Sequence, residues 1–475
     1  MSTSPQFDLI VIGSGPAGEK GAALAAYFGK KVALIEREPV LGGAAANTGT
    51  LPSKTLRETA VFLSGFKHRE LSGLQLKLRD KVTVRDFMAR ERMITETERS
   101  RVMENMRRHG VNLYMGAASI VDANTVAVKP DRCPESRLDA GRILVATGSY
   151  PFRPAGFPFH DPRVYDSNTI LMLHDIPPTM LVVGGGVIGC EYACMFAALG
   201  VEVTIVEKRD TLVGFLDDEI AAALRSRMEE AGIRILTSDG VSTVHDNGCL
   251  DVTLKSGLNL KVQTILISSG RCGNTEGLGL EKVGITVNDR GQIPVNEQFQ
   301  TCVPNIYAAG DVIGNPALAS TSMEQARLAM AHAFGIEQAF MDSHRKLYAY
   351  GIYTIPECSM VGETEESLIE RKIPYFSGKS SYAQNARGQI IGDTQGFLKL
   401  LFHADDMRLL GVHFIGELST ELVHVGLMAL QMNATADLFV QACYNYPTLT
   451  EIYKYATYDA MGKRLAKLKS AAGSS

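Results

Sequence analysis

Two copies of one glycine pattern place the strongest limit on the folds open to this chain. The order glycine, any residue, glycine, any two residues, glycine occurs at 13–18 and again at 184–189. Each copy follows an apolar run of strand length and opens a stretch of helical character. Glycines in this order permit a tight turn and let backbone N–H groups approach a pyrophosphate at the start of the helix. The sequence therefore predicts two dinucleotide-binding β-α-β units in one chain.

An acidic residue completes each of the two units. The strand after the first helix ends at Glu36, and the strand after the second helix is followed by Glu207. An acid about 20 residues beyond the turn is placed to accept a hydrogen bond from a ribose hydroxyl. One isolated glycine pattern often occurs by chance, but two copies with strand, helix and acid favour two bound dinucleotides. Two dinucleotides on one chain imply electron transfer between them.

Length, charge and composition exclude several classes of function. The chain has 475 residues, enough for about three domains, and its 45% hydrophobic and 21% charged residues are ordinary for a soluble globular protein. A net charge of −4 without a dense cluster of lysine and arginine gives no basis for nucleic-acid binding. Residues 1–6 leave no room for a signal peptide, and glycines and Glu191 interrupt the apolar run 180–203. We therefore expect a cytoplasmic protein without a membrane span.

The eight cysteines do not indicate a disulfide framework or a metal centre. They are scattered along the chain, and no two of them are separated by two residues as in zinc-binding pairs. Cys190 and Cys194 are four residues apart and share one helix face, where two small buried packing residues are the favoured interpretation. No metal site is expected.

The order of the predicted elements gives an α/β fold with two Rossmann-like dinucleotide-binding domains and a further α+β domain. A strand and turn at 306–311 resemble a return to the sheet of the first unit, which predicts that the second unit is inserted in the first. We place the first part of the first domain at 1–150 and the inserted domain at 151–275. The return to the first domain covers 276–345, and the C-terminal domain covers 346–475.

Five motifs in chain order resemble those of the FAD-dependent pyridine nucleotide-disulfide oxidoreductases over nearly the whole chain. They are Gly13 to Gly18, Gly42-Gly43 through Pro52-Ser53-Lys54, Ala146-Thr147-Gly148, Gly184 to Gly189, and Tyr307 to Val312. The resemblance implies that the first unit binds FAD and that the second binds NAD(H) or NADP(H). It also implies that the C-terminal domain forms a homodimer.

The same resemblance assigns residues to the two cofactor sites. For FAD it implies Gly13, Ser14, Gly15, Pro16, Ala17, Gly18, Glu36, Gly43, Lys54, Ala117, Thr147, Gly148, Gly310, Asp311 and Ala319. For the nicotinamide dinucleotide it implies Gly184, Gly186, Ile188, Gly189, Glu207, Gly270 and Arg271. Glu36 would bind the adenosine ribose, and Asp311 would bind ribityl or pyrophosphate oxygens. The helix expected after 315–320 would add positive potential at the pyrimidine side of the flavin.

Three residues are implied in catalysis. Lys54 matches the family lysine that approaches the flavin ring and pairs with a glutamate, here Glu191. A fixed cation at that place favours the electron-rich reduced flavin. Tyr446 stands where disulfide reductases of the family have the histidine of a His-Pro motif, in a segment expected to reach the flavin site of the other subunit.

The residues that the family uses for disulfide chemistry are missing. Its disulfide reductases carry two cysteines, five apart, where this chain has Ala45 and Thr50. Attack on a disulfide needs a thiolate, and the phenol of Tyr446 is a poor base at neutral pH. The resemblance therefore implies no redox-active disulfide, and it makes lipoamide, glutathione and mercuric ion poor candidates for the substrate.

A flavin enzyme without that disulfide can still pass hydride from one nicotinamide cofactor to another. The stretches 49–54, 186–193, 310–314, 351–357 and 445–448 resemble the subgroup of the family that catalyses this transhydrogenase reaction. Ala45 departs from that subgroup, whose members keep a cysteine at this position. We expect a ping-pong reaction in which NADPH gives hydride and leaves before NAD⁺ takes it. The protein would supply alignment and electrostatics rather than a nucleophile.

The preference between the two nicotinamide cofactors stays open at this point, as do two other functions. Glu207 is suited to the free ribose of NAD(H) and should repel the 2′-phosphate of NADP(H). Lys208 and Arg209 could offset that repulsion or be solvated loop charges. The alternative functions are an NAD(P)H dehydrogenase that passes electrons to a quinone, dye or oxygen, and a non-catalytic flavoprotein that senses redox balance.

Overall fold

The N-terminal part of the chain forms a sheet around the first glycine turn. The computed structural model describes residues 6–68, 83–336 and 347–472. The strands of this part are β1 (Phe7–Ile12), β2 (Val32–Glu36), β3 (Asn112–Met115), β4 (Ala117–Ile120), β5 (Thr125–Lys129) and β6 (Ser136–Val145). Its helices are α1 (Pro16–Tyr27), α2 (Gly43–Asn47), α3 (Thr50–His68) and α4 (Val84–Arg108).

Burial on both faces explains the parallel centre of this sheet. The order is β3-β2-β1-β6-β5-β4, with β3, β2, β1 and β6 parallel and the β6-β5-β4 part antiparallel. β2 is buried at every position and β1 at all but one, as expected of parallel strands that are covered on both faces. The carboxyl ends of β1, β2 and β6 therefore meet at one edge, where the first glycine turn lies.

The second glycine turn organises a second parallel sheet. The strands of this part of the chain are β7 (Ser149–Pro151), β8 (Val164–Asp166), β9 (Thr179–Val183), β10 (Glu202–Val206), β11 (Arg234–Leu236), β12 (Val241–Asp246), β13 (Leu250–Leu254), β14 (Asn259–Val262), β15 (Thr264–Ile267) and β16 (Arg271–Gly273). The parallel sheet has the order β11-β10-β9-β15-β8, and a separate antiparallel sheet has the order β12-β13-β14. The helices are α5 (Val187–Ala198) and α6 (Asp218–Glu230).

The second nucleotide domain is inserted in the first, which confirms the expected architecture. β17 (Ile306–Ala308) returns to the first sheet and pairs in parallel with β6, with Ile306 opposite Ile143. α7 (Ala319–Phe334) follows it. The outgoing and returning segments pair with each other as an antiparallel ribbon of β7 and β16. The two glycine turns are therefore connected through a two-stranded junction.

The C-terminal domain is a mixed α and β unit. Its strands are β18 (Tyr350–Ile352), β19 (Cys358–Gly362), β20 (Tyr375–Ser381), β21 (Phe397–His403) and β22 (Leu409–Ile415). They form an antiparallel sheet with the order β18-β19-β22-β21-β20. The helices are α8 (Glu365–Glu370), α9 (Ala386–Ile391), α10 (Ser419–Gln431), α11 (Ala436–Gln441) and α12 (Ile452–Ala472).

One hydrophobic core joins the three units and fixes the helices that carry the site. Leu56 of α3, Phe87 of α4, Tyr192 of α5 and Ile352 of β18 belong to the same buried cluster. The rings of Phe87 and Phe196 lie 6.4 Å apart in it. This core holds the first turns of α3 and α5 close to each other and to the start of the C-terminal domain.

Three of the cysteines, Cys190, Cys194 and Cys358, are part of this core. Cys190 and Cys194 are free and buried, as their helix-face spacing predicts. Burial raises the pKa of Cys194 to about 12, so that it stays a neutral thiol at physiological pH. No helix within the described ranges is long and apolar enough to cross a membrane.

Candidate active site between two glycine turns

The first glycine turn connects β1 to α1 and leaves the start of the helix open. Gly15 precedes α1 and has no side chain to cap it, Pro16 takes the first helical position, and Ala17 follows. The N–H groups of the first turn and the positive end of the helix dipole are therefore available to an anion. A side chain at Gly18 would overlap the carbonyl oxygen of Gly13, so only glycine lets α1 pack this closely on the turn.

Glu36 lies against the same turn. Its Oε2 accepts the N–H of Ser14 at 2.9 Å and the Ser14 hydroxyl at 2.6 Å. The Ser14 hydroxyl in turn accepts the N–H of Gly42 at 3.0 Å. A Cβ added to Gly43 would come within 2.7 Å of the Gly15 Cα, so the paired glycines approach the turn as closely as backbone allows. Glu36, the glycine turn at 13–18 and the Gly42-Gly43 pair thus surround a common space.

Further predicted FAD residues lie at the carboxyl ends of neighbouring strands. Thr147 and Gly148 follow β6, and the buried Thr147 hydroxyl has no hydrogen-bond partner in the part of the chain that the structure describes. Asp311 follows β17, and its carboxylate accepts the hydroxyl of Ser149 at 2.8 Å. A buried hydroxyl with a free hydrogen-bonding capacity at this edge indicates a ligand that contacts it.

A second helix also begins without a cap at this edge. α7 starts at Ala319 after Leu318, whose side chain cannot accept a hydrogen bond. The Gln325 side chain of α7 accepts the N–H of Gly310 at 2.8 Å, which fixes the helix beside the Asp311 turn. The positive end of α7 is therefore placed near the residues predicted to contact the flavin.

These features fit FAD, which is a long cofactor with an anionic pyrophosphate. The first turn offers free N–H groups and room for a close backbone approach, and Thr147 offers an unused hydroxyl. Ala117 is the first residue of β4. It lies close to Glu36, because the N–H of the preceding Gly116 donates to the Glu36 carbonyl at 2.7 Å. Most of the residues predicted for FAD therefore lie at the turns on the carboxyl edge of the first sheet, while Ala319 opens α7 and Lys54 lies on α3.

The second glycine turn repeats the geometry of the first. Gly186 precedes α5 without a capping side chain, and Ile188 lies in the first helical turn. A side chain at Gly189 would overlap the carbonyl oxygen of Gly184, as one at Gly18 would in the first unit. The second turn therefore offers the same open helix start to a pyrophosphate.

Glu207 is held at the second turn and is balanced by an arginine. Its Oε2 accepts the N–H of Gly185 at 2.6 Å, and its Oε1 accepts the Arg209 N–H at 2.9 Å and the Arg209 Nε at 3.2 Å. Burial opposes ionisation of Glu207, but these donors and the Arg209 charge outweigh it and hold the pKa of the carboxyl below its usual range. The place where a ribose is expected therefore carries an anion and a cation together.

The two units are joined by an ion pair between Lys54 and Glu191. The Lys54 Nζ lies 2.7 Å from Glu191 Oε2 and 2.9 Å from Oε1. The Lys54 side chain is 25% exposed and that of Glu191 is 4% exposed. Lys54 comes from α3, which follows the Gly42-Gly43 segment and α2, and Glu191 comes from α5, which directly follows the second turn. The pair therefore lies between the two predicted cofactor sites.

A third residue contacts this pair and has no local sequence signal. Tyr353, just after β18 of the C-terminal domain, donates its N–H to Glu191 Oε1 at 2.9 Å. The centre of its ring lies 4.9 Å from the Lys54 Nζ. The stretch 351–357 contributes to the family resemblance, but nothing in its pattern indicates contact with α3 or α5.

Gly270 and Arg271 lie at the junction between the two nucleotide domains. The Gly270 carbonyl accepts the N–H of Phe152 at 2.9 Å. Arg271 donates Nε to the Ser149 hydroxyl and Nη2 to the Ser149 carbonyl, both at 2.8 Å, and Nη1 to the Ser167 hydroxyl at 3.3 Å. Burial lowers the pKa of Arg271 from its ordinary value. The same Ser149 hydroxyl donates to Asp311, so Arg271 is linked to the FAD side as well as to the nicotinamide side.

Tyr446 is not brought to the Lys54–Glu191 pair within the described chain. It follows α11 and its side chain is 68% exposed. Its segment is attached to the C-terminal domain by a bond from Asn385 Nδ2 to the Thr448 carbonyl at 3.0 Å. The expected approach of Tyr446 to a second subunit stays a prediction.

The chain matches one protein family over most of its length. Residues 7–326 match the pyridine nucleotide-disulphide oxidoreductase family, and residues 348–457 match the dimerisation domain of that family. These ranges cover both glycine turns, the Lys54–Glu191 pair and the C-terminal domain.

Curated relatives align over nearly the whole chain. A soluble pyridine nucleotide transhydrogenase from Mycobacterium bovis (strain BCG / Pasteur 1173P2) is 44% identical over 463 residues, which are 97% of this chain and 98% of that protein. One from Pseudomonas putida (strain W619) is 41% identical over 468 residues, with coverage of 96% and 98%.

Solved structures share the fold. LpdA from Mycobacterium tuberculosis is similar with a TM-score of 0.86 at 26% identity, covering 95% of this chain and 99% of that one. The HOCl-induced flavoprotein disulfide reductase RclA from Escherichia coli has a TM-score of 0.84 at 26% identity, with coverage of 96% and 99%.

Proposed function

Because this chain belongs to the pyridine nucleotide-disulphide oxidoreductase family, we propose that it is an FAD-dependent enzyme that transfers hydride between NADPH and NAD⁺. Relatives at 44% and 41% identity carry the name soluble pyridine nucleotide transhydrogenase, which supports this reaction. The observation that carries the proposal is the Lys54–Glu191 ion pair, because it connects the helix of one cofactor site with the helix of the other.

The residues of the chain contribute position and charge to this reaction. Bound FAD supplies the ring that takes up hydride and returns it. Lys54, held by Glu191, provides a fixed positive charge, and the uncapped start of α7 adds a second positive field. Both favour the added negative charge of the reduced state.

We further propose that the reaction uses no disulfide. Ala45 lies in α2 and Thr50 opens α3, so the segment between the paired glycines and Lys54 offers no thiol. The flavin is then the only group that holds the electrons between oxidation of one nicotinamide and reduction of the other. An anaerobic titration should consume one equivalent of NADPH for each FAD.

Anaerobic stopped flow tests the proposed function. NADPH should bleach the flavin of the FAD-loaded protein, and NAD⁺ added afterwards should restore the flavin absorbance while NADH forms. Restoration by a quinone but not by NAD⁺ would contradict the proposal and favour an NAD(P)H dehydrogenase. A flavin that neither reduced nicotinamide bleaches would favour a non-catalytic sensor.

Arg209 should decide how well the 2′-phosphate of NADP(H) is accepted. It neutralises Glu207, which would otherwise repel that phosphate, and its side chain is more than half exposed, so that a ligand can reach the guanidinium. We expect Arg209→Ala to raise the dissociation constant for NADPH about 10-fold, while that for NADH changes less than about twofold. A 10-fold change corresponds to the lower end of the free energy that a charged hydrogen bond contributes. Anaerobic flavin bleaching at varied nicotinamide concentration measures both constants.

Lys208→Ala is the matched control for this variant. The Lys208 stem lies beside Gly240, and no bond joins its ammonium to Glu207 in the described structure. Lys208→Ala should therefore change both constants by less than about threefold. An equal loss of NADH and NADPH binding in Arg209→Ala would show that the arginine only supports the loop.

The location and assembly of the enzyme belong to the same proposal. The relatives are named as soluble enzymes, which supports a cytoplasmic location. The match to the dimerisation domain supports a homodimer. Exposed apolar side chains on α12 are consistent with an interface; they are Tyr455, Tyr458, Met461, Leu465 and Leu468.

A further inference from the structure

A short segment of the C-terminal domain lies against the Lys54–Glu191 pair. This segment, residues 351–357, runs from the end of β18 to the residue before β19. The contact between this segment and the pair is long-range in sequence, because Tyr353 and Glu191 are 162 residues apart.

Tyr353 contacts both members of the pair. Its backbone N–H is the third donor to the Glu191 carboxylate, at 2.9 Å, beside the two contacts from the Lys54 ammonium. Its ring faces the same ammonium at 4.9 Å from Nζ to the ring centre. An ammonium within about 6 Å of an aromatic ring centre is attracted to the negative face of that ring.

The segment is anchored to the helix that carries Lys54. Arg57 lies one turn after Lys54 on α3 and donates Nε and Nη2 to the Thr354 carbonyl, both at 3.3 Å. Arg57 also forms a buried ion pair with Glu357 at 3.1 Å. The Glu357 carboxylate accepts the N–H and the hydroxyl of Thr420 at 3.1 and 2.7 Å. These bonds fix the Tyr353 ring relative to α3.

The ring restricts an ammonium that would otherwise be free to move. Three-quarters of the Lys54 side chain is covered, but lysine has four rotatable bonds. Its ammonium is bound by Glu191 and by a longer contact of 3.4 Å with the Ser53 hydroxyl. A fixed aromatic face on a second side keeps water from replacing the Glu191 contact. The charge then stays where the reaction needs it.

We propose that Tyr353 is a positioning residue for hydride transfer, which holds the Lys54 ammonium beside the flavin through the face of its ring. This inference rests on the proposed binding of FAD and on reduction of the flavin by a nicotinamide. It does not depend on which acceptor reoxidises the flavin.

The test compares Tyr353→Leu with Tyr353→Phe in the FAD-loaded protein. The leucine variant loses the ring, whereas the phenylalanine variant keeps it and loses only the hydroxyl. We expect the limiting rate of anaerobic bleaching by NADH to fall about 3–10-fold in Tyr353→Leu, as the strength of a partly buried cation–π contact implies. The flavin midpoint potential, measured by dye titration, should become more negative. Tyr353→Phe should stay within about twofold in rate with an unchanged potential.

Tyr350→Leu is the matched control. Tyr350 lies on β18 of the same domain, and its ring packs on Phe215 at 5.4 Å instead of on Lys54. Its loss should leave the flavin potential unchanged. Tyr353→Met, which keeps the bulk but not the ring, replaces the leucine variant if that protein is recovered without FAD.

Three results would overturn the inference. They are an unchanged rate and potential in Tyr353→Leu, an equal loss in Tyr353→Phe, and an equal shift of potential in Tyr350→Leu. Failure of the proposed function would look different, because wild-type protein would then not return hydride to NAD⁺ even if the Tyr353 variants differed from it in flavin potential.

Discussion

Replacing Lys54 with methionine is expected to slow the anaerobic reduction of the FAD-loaded protein by NADH about 10²-fold. Methionine keeps most of the length of the side chain but removes the charge, and loss of one fixed electrostatic group in an active site costs about that factor. The Glu191 carboxylate, which is almost fully buried, would then keep only the Tyr353 N–H as a donor. An unpaired buried anion repels the incoming negative charge and adds to the loss. Stopped-flow absorbance of the flavin measures the rate.

Lys20→Met is a close control for this prediction. Lys20 pairs with Glu19 at 2.9 Å, and the two side chains are 20% and 3% exposed, much like those of Lys54 and Glu191. Lys20 lies on α1 and contacts neither α3 nor α5 in any described bond. Its replacement should leave the bleaching rate within about twofold. A Lys54→Met variant that is slowed less than about threefold would show that the ion pair only joins the domains.

The parts of this molecule that the sequence predicts are those with a local signal. Each glycine turn is specified by strand, glycines, helix and acid within one short stretch, 7–36 and 179–207. The first and last glycines of each pattern remove a clash that any side chain would create. Glu36 and Glu207 end up in equivalent places, each bound to an N–H 22 residues earlier in the chain. The return of the chain at 306–308 is a short buried strand, so its signal was also local.

The contacts that the sequence does not reveal join residues far apart. Tyr353 meets Glu191 across 162 residues, and no period or motif in either segment specifies that meeting. The Ser149 bridge between Arg271 and Asp311 depends in the same way on how β7 and β16 pair. The roles of individual site residues, and the domain boundaries placed at 150, 275 and 345, stay predictions.

A second cluster of residues far apart in the sequence holds the nicotinamide domain on the C-terminal domain. The Nζ of Lys399, on β21, lies 2.9 Å from both carboxylate oxygens of Asp217, which caps α6, and 2.5 Å from Glu365. Glu219 lies 3.4 Å from the same ammonium. The side chains of Lys399 and Asp217 are 4% and 0% exposed. Lys399 therefore balances Asp217 and Glu365, which come from two domains, and shares Glu219 with Lys379.

Lys399→Met is expected to cost about 3–5 kcal/mol of stability, because it leaves the buried Asp217 carboxylate and the neighbouring Glu365 without a cation, whereas Glu219 keeps its pair with Lys379. For a chain of this length that corresponds to a fall of about 3–5 °C in the melting temperature of the FAD-loaded protein, measured by calorimetry.

Burial alone would raise the pKa of Asp217, but His413 and Lys399 outweigh it and hold the pKa below its usual range. The stabilisation by Asp217 is therefore present above about pH 4 and is lost as the pH falls through that lowered pKa, so the variant and the wild type should converge in acid.

Asp217→Asn separates repulsion among the acids from simple loss of the ion pair. Asparagine can still cap α6 through its side-chain oxygen, and Lys399 keeps Glu365 as a partner, so we expect less than half the loss seen in Lys399→Met. Lys463→Met, which removes a surface pair with Asp459, should cost less than about 1 °C. Equal losses in Asp217→Asn and Lys399→Met would contradict this prediction, since the cost would then come from the broken pair and not from repulsion between the uncompensated Asp217 and Glu365.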